Sequence, residues 1–181
     1  LLDEEEDIQA SNLLRLALFT GMRRGELFKL KWNDINFIRK NISIKDPKSG
    51  LDETIPLNEM ALSVLNNHKK DESEFVFPGL RGNQRKTTPR SLRRIIKKAG
   101  LKDFRPFQGL RHAYASTLAS SGKVDLYTLQ KLLTHKSPLM TQRYAHLSNE
   151  AMMEASNVIS EITKSETENI KLDRHKKRKG E

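Results

Sequence analysis

The chain has 181 residues, 36% of them hydrophobic, with 33 lysines and arginines against 23 aspartates and glutamates, a formal net charge of +10. That length builds one ordinary domain with a core, or a smaller domain and a tail, and a surplus of that size points to a polyanionic partner. With no cysteine, disulfide frameworks, thiolate nucleophiles and cysteine-based zinc sites are excluded together. No apolar run approaches a membrane span, the best, Leu13 to Phe19, being interrupted by Arg15. The opening LLDEEED is acidic where the basic start of a secretion signal would stand. These features describe a soluble protein of a reducing compartment that faces nucleic acid.

Taken in chain order, the pattern is mostly helical. Ile8, Leu13, Leu14, Ala17 and Leu18 recur at helical spacing over 4–20, the acidic run DEEED opens that helix, and Gly21 stops it. A short helix over 24–30 follows. INFIRKNISIK then alternates, PKSG breaks it, and ETIPL resumes, which predicts a small antiparallel sheet over 35–57 with a hairpin turn at Lys48, Ser49 and Gly50. Asn58 leads a helix over 59–68. Thr88 as cap and Pro89 at the first helical position predict a helix ending at Gly100. Further helices are expected over 107–120, 125–133, 138–144 and 149–162. Residues 165–181 have almost nothing apolar and read as a flexible basic tail, leaving 1–164 as the folded domain. The fold class is mainly α with a small antiparallel β-sheet, α+β.

Charge is unevenly spread. From Arg81 to Arg105 there are ten basic residues and one acid, Asp103. Within that stretch Arg90, Arg93, Arg94, Lys97 and Lys98 accompany a helix whose apolar side is Leu92, Ile95, Ile96 and Ala99, the arrangement of a helix docked on its domain with phosphate-contacting charge outward. Aromatics make up 6% of the chain and do not interleave with the basic residues, which argues against a single-strand stacking platform.

Five pieces stand out: TGMRRGEL at 20–27, PKSGLDETIP at 47–56, FQGLRHAYAS at 107–116, LLTHKSP at 132–138 and TQRYAHLS at 141–148. In this order and spacing they resemble the tyrosine recombinase (phage integrase) family, over about residues 1–160, its whole catalytic domain. The resemblance implies that fold, and conservative site-specific recombination of double-stranded DNA through a 3′-phosphotyrosine intermediate. Arg23 and Arg111 match the two arginines that clamp the scissile phosphate. Guanidinium suits that task, being planar, permanently charged and able to donate two parallel hydrogen bonds to the oxygens of a five-coordinate phosphorus. Tyr144 matches the attacking tyrosine; a phenol near pKa 10 needs cations or a base to react. Tyr114 and Tyr127 read as packing or rim aromatics. Lys48, at the hairpin tip, matches the general acid for the leaving 5′-oxygen, with Lys45 a second candidate in the same segment. His135 matches a donor to phosphate.

One position departs from the family. A histidine usually stands three residues before the second arginine, and here it is Gln108, which hydrogen-bonds but cannot shuttle a proton near neutrality. Gln108 is expected to help orient the phosphate, so that Gln108→Ala slows cleavage moderately. Glu26 is expected to brace an arginine and His112 to pack beneath the site, while Arg24 is ordinary surface or a backbone contact. The chemistry calls for neither metal nor cofactor.

The resemblance also implies a homotetramer on synapsed sites, with a monomer as the isolated domain. A C-terminal helix carrying Met152, Met153, Val158 and Ile159 would dock on a neighbouring protomer or fold back on its own domain. The family's N-terminal DNA-binding domain is expected to be absent from this stretch, and the location to be cytoplasmic and nucleoid-associated, with no membrane role. Two rivals stand beside this reading: a tyrosine-type topoisomerase, and a noncatalytic DNA-binding module weakened at Gln108.

Overall fold

A computed structural model of the chain describes residues 2–45, 52–68, 70, 72–148 and 157–158. Helix α1 spans Ile8–Thr20, α2 spans Arg24–Lys29, and a 3-10 turn at Trp32–Asp34 leads into strands β1 (Ile35–Asn36), β2 (Asn41–Ile44) and β3 (Glu53–Pro56). Helices α3 (Glu59–Asn67), α4 (Ser91–Lys98), α5 (Pro106–Ser120), α6 (Leu126–Leu132) and α7 (Leu139–Gln142) follow, and a 3-10 turn spans Ala145–Ser148. The architecture is helical with one three-stranded antiparallel sheet in the order β1-β2-β3, the α+β class the sequence predicts.

The sheet register pairs Ile35 with Ile42 and Ile42 with Ile55, so three buried isoleucines share one face. Against that face lies the larger core, built on Leu13, Leu16 and Ala17 of α1, Leu27 and Phe28 of α2, Leu65 of α3, and Leu92 and Ile95 of α4. Helix α1 packs on both α3 and α5. A smaller core joins Ala115 and Ala119 of α5 to Leu129 and Leu133 around α6, and Tyr144 belongs to it. The arginine-bearing helix α5 therefore bridges the two cores, with Phe107 in the larger one and Ala115 in the smaller.

Four boundaries differ from the sequence expectation. Helix α1 starts at Ile8, and the acidic run precedes it. Asp7 caps it by accepting from the Ala10 amide at 2.9 Å, and Glu5 turns inward to pair with Arg94. The alternation over 35–44 is broken by a turn at 37–40, where Lys40 has φ 51° and Ile38 is almost fully exposed. Helix α4 starts at Ser91, so neither Thr88 nor Pro89 occupies the predicted capping position. Ser91 Oγ is tied instead to Asp7 Oδ2 at 2.5 Å. Helix α7 ends at Gln142, which leaves Tyr144 in the turn after it. Elsewhere the capping signals hold: Asn58 Oδ1 accepts from the Ala61 amide, and Asp125 Oδ1 from the amides of Tyr127 and Thr128. The predicted turn at 48–50, the tail from 165 and most of the 149–162 helix lie outside the described residues.

Candidate active site

Thr20 ends α1 and Gly21 reverses the chain with φ +64°. That left-handed residue sends Arg23 into the N-terminal junction of α2. There the Arg23 amide donates to Glu26 Oε2 at 2.7 Å while its Nη1 donates to Glu26 Oε1 at 2.8 Å, so one carboxylate fixes both the backbone and the guanidinium. The same guanidinium reaches across the fold. Its Nη1 bonds the Thr134 hydroxyl and its Nη2 donates to the Thr134 carbonyl at 2.8 Å. Thr134 offers both oxygens because its backbone is left-handed, φ 50°, at the end of α6.

Arg111 projects from the middle of α5. Its Nη1 donates to the Gly21 carbonyl at 2.7 Å and its Nη2 bonds the Leu133 carbonyl. The two arginines are thus held by adjacent carbonyls, Leu133 and Thr134, and by the same α1–α2 junction. Burial and then the neighbouring Arg23 charge bring the Arg111 pKa down to about 10, still cationic at neutral pH.

His135 follows directly. Its Nδ1 lies 2.8 Å from Thr141 Oγ1 of α7, and the Gln130 side chain donates to its carbonyl at 3.1 Å. Burial first, then the charges of Arg111, Arg23 and Arg143, push its pKa down to about 4, so the ring is neutral at physiological pH. Tyr144 is buried, with 5% of its surface exposed, and its hydroxyl lies 2.6 Å from His112 Nδ1, one residue after Arg111 on α5. Burial raises the phenol pKa, and Arg143 and Arg111 oppose that rise.

These groups share one open cleft of about 680 Å³, whose lining includes Arg23, Gln108, Arg111, His112, His135 and Tyr144. Part of the lining is cationic, from Arg23, Arg111 and Arg143. One wall is apolar: Leu92 and Ile96 of α4 with Phe104, whose ring lies so near Gly109 that a Cβ there would sit 2.1 Å from its Cε2. The cleft presents guanidinium and imidazole donors around a phenol, an arrangement suited to an anion whose central atom can be attacked.

A family model described as "Phage integrase family" matches residues 1–151. The chain belongs to that family. Over 152 residues it is 36% identical to the tyrosine recombinase XerA of Pyrococcus furiosus, taking in 79% of this chain and 52% of the relative. Over 165 residues it is 33% identical to the tyrosine recombinase XerC of Corynebacterium glutamicum, with 86% and 52% covered. A crystal structure of XerA recombinase superposes with a TM-score of 0.66 at 26% identity, over 82% of this chain and 56% of that one. XerH bound to a palindromic difH substrate superposes at 0.69 and 24% identity, over 88% and 49%, a likeness of fold. The chain spans about half the length of the curated relatives it matches.

In this phage integrase family chain, the fold brings five of the six residues singled out for catalysis to one cleft: Arg23, Gln108, Arg111, His135 and Tyr144. Lys48 lies outside the described residues; Lys45 is exposed just beyond β2. Gln108 is exposed in the first turn of α5. Glu26 touches Arg23, and His112 contacts the tyrosine hydroxyl directly instead of packing beneath the site. Arg24 is exposed, its guanidinium 5.8 Å from the Phe28 ring centroid. Of the basic residues predicted to face DNA, Arg90, Lys97 and Lys98 are exposed and Arg93 lines the cleft, whereas Arg94 is paired with Glu5. Sequence reasoning missed Thr134, Thr141, Arg143 and the Gly21 and Leu133 carbonyls. Thr134 and Thr141 stand inside the motifs LLTH and TQRY, so their place in the motifs is the signal that marks them. Among the described residues there is no cluster of metal-ligating side chains, and no helix is long and apolar enough to cross a membrane.

Proposed function

We propose that residues 1–164 form the catalytic domain of a site-specific DNA recombinase, which cleaves and rejoins double-stranded DNA through a 3′-phosphotyrosine. One observation carries this reading: Tyr144 lines the same cleft as Arg23 and Arg111, although 121 residues separate the first from the last (144 − 23). Tyr144 Oη attacks the scissile phosphorus. Arg23 and Arg111 neutralise the non-bridging oxygens as the phosphorus becomes five-coordinate. Glu26, Thr134, Gly21 and Leu133 hold those arginines before substrate arrives, so little ordering remains for the transition state. The tautomer in which His135 Nδ1 accepts from the Thr141 hydroxyl leaves Nε2–H to donate to a phosphoryl oxygen. Gln108, at the cleft mouth, donates to the same group. Lys48 protonates the departing 5′-oxygen.

The product is a phosphotyrosine and a free 5′-hydroxyl. A 5′-hydroxyl from a partner duplex reverses the step, and because the ester energy is kept in the protein–DNA bond the cycle needs no nucleotide. The exposed charges of α4 supply phosphate contacts along the duplex, and the basic tail at 165–181 adds attraction without sequence readout. The assembly is a homotetramer on synapsed sites and a monomer off DNA, cytoplasmic and associated with the nucleoid.

The test is covalent capture. The chain is incubated with a pool of duplexes, each nicked next to a randomised segment so that the released fragment diffuses away, and denaturant-resistant adducts are collected. The wild-type chain should yield an adduct that maps to Tyr144, and Tyr144→Phe none. Binding to the same pool with no adduct would favour the noncatalytic module, and relaxation of supercoils without strand exchange the topoisomerase.

A further inference from the structure

We infer that His112 is the proton acceptor for the attacking tyrosine: the hydrogen bond between Tyr144 Oη and His112 Nδ1 is the path by which the phenol loses its proton as it bonds to phosphorus. This rests on the reading of Tyr144 as the nucleophile and names the group that completes it.

Three observations carry it. The first is contact: the two atoms are 2.6 Å apart, within proton-transfer distance, and the tilted rings have centroids 6.2 Å apart. The second is elimination among the neighbours. Gln108 has no basic nitrogen, and His135 Nδ1 is engaged by Thr141 Oγ1. The third is placement. His112 adjoins Arg111 on α5 and lines the same cleft, so the rigid helix that positions a phosphate-gripping arginine also positions the acceptor. The charged and titratable groups that line the cleft with the pair are Arg111 of α5 and Arg105 just before it, Arg23 and Arg24 at the α1–α2 junction, Arg93 of α4, His135 from the α6–α7 junction and Arg143 beside the tyrosine.

The step balances. As the Oη–P bond forms, the Oη–H bond breaks and its proton moves to Nδ1, giving an imidazolium. The P–O5′ bond breaks at the same phosphorus, and the leaving oxygen takes its proton from a separate acid, proposed as Lys48. In rejoining, the incoming 5′-hydroxyl returns a proton to that amine, and the imidazolium gives its own back to the departing tyrosinate. The resting hydrogen bond has a second effect: it fixes the phenol against α5 before DNA binds.

The experiment uses the full chain and a duplex recovered from the nicked pool, with single-turnover adduct formation as readout. His112→Asn keeps an acceptor oxygen near the position of Nδ1 but cannot hold the proton at neutral pH. It should keep its thermal midpoint, bind the duplex as the wild type does, and form adduct about 100-fold more slowly. The His112→Asn rate should climb steadily with alkalinity, following the phenol itself, and so differ in pH profile from the wild type. Added imidazole should restore part of the His112→Ala rate. A His112→Asn rate and pH profile like the wild type's, or equal slowing of both variants with an unchanged profile and no rescue, would overturn the inference and leave Tyr144 as nucleophile. Absence of adduct from the wild-type chain itself would overturn the nucleophile reading, and this inference with it.

Discussion

The ring of Tyr114 lies on the backbone of Gly21, so close that a Cβ on the glycine would stand 2.5 Å from Tyr114 Cδ1. Tyr114 shares α5 with Arg111, and the Gly21 carbonyl accepts a hydrogen bond from Arg111 Nη1 at 2.7 Å. Gly21 is confined twice, by a φ of +64° and by the aromatic ring above it.

Gly21→Ala should therefore cost more than an ordinary helix-end substitution. The left-handed backbone costs a β-carbon about 1–2 kcal/mol, and overlap with a packed ring adds about 1–3 kcal/mol. A thermal melt should show a drop of several degrees. Adduct formation should fall by more than the loss of folded protein explains, because the shifted carbonyl no longer fixes Arg111. Tyr114→Phe, which keeps the ring, should preserve the rate, and an equal loss in both variants would show that the hydroxyl matters instead.

Glu26 offers a second measurement. Its carboxylate holds the Arg23 amide and guanidinium at once, with only 14% of its side chain exposed. Glu26→Ala should destabilise the chain by about 0.5–2 kcal/mol, the range for losing a helix-capping interaction. The Arg23 side chain is 36% exposed, which discounts the pure charge contribution. Chemistry should suffer more, about tenfold in the adduct-forming rate, since Arg23 keeps its Thr134 contacts but loses its carboxylate brace. Denaturant melts and single-turnover rates on one preparation separate the two effects.

His135 reports on the electrostatics of the cleft. Burial is the largest cause of its depressed pKa of about 4, and Arg111 is the largest charged cause. Histidine C2 proton resonances followed by NMR should place its midpoint near 4 in the wild type and move it upward in Arg111→Gln, without reaching the ordinary value because the ring stays buried. The sign for stability follows. The unfolded ring takes up a proton as pH falls below about 6.5 and the folded ring does not, so the His135 contribution is lost between about 6.5 and about 4. His135→Gln, which cannot titrate, should show a flatter stability curve across that window.

Much of this arrangement is written in the sequence, in local signals. Asn58 and Asp125 announce α3 and α6 because their side chains accept from amides two or three residues on. Gly21 stops α1 where a left-handed residue is needed. The motifs FQGLRHAYAS and TQRYAHLS carry Arg111 and Tyr144 into one cleft. What escapes the sequence is long-range. Thr134 grips Arg23 with its own carbonyl, across 111 residues, in a backbone conformation no β-branched side chain advertises. The start of α4 at Ser91 depends on Asp7, 84 residues away. Even the distinction between a histidine under the site and one touching the Tyr144 hydroxyl is a matter of which way α5 is rotated.

The acidic run at 3–7 and the basic helix α4 likewise look like two solvated charge clusters until the fold joins them. The Glu5 side chain is 2% exposed and ion-paired to Arg94, itself half exposed, and Arg85 bonds Gln9 and the Phe77 and Pro78 carbonyls nearby. Arg94 thus anchors α4 to the segment before α1, and its neighbour Arg93 is the one that lines the cleft. Arg93→Ala should weaken duplex binding and lower the salt slope by about one, with the melting temperature unchanged. Arg94→Ala should lower the melting temperature and affect binding less. In a double-mutant cycle with Glu5→Gln the two losses should be less than additive, because each removes the same pair. The Arg94 hydrogen bond is the leading cause of the lowered Glu5 pKa. A carboxyl with a depressed folded pKa stabilises fully above its unfolded value, about 4.5, and loses that contribution as pH falls through the folded one. The melting deficit of Glu5→Gln should be complete at pH 7 and close as the buffer is taken well below 4.5. A deficit constant with pH would mean that shape at position 5, not the carboxylate charge, holds α4 in place.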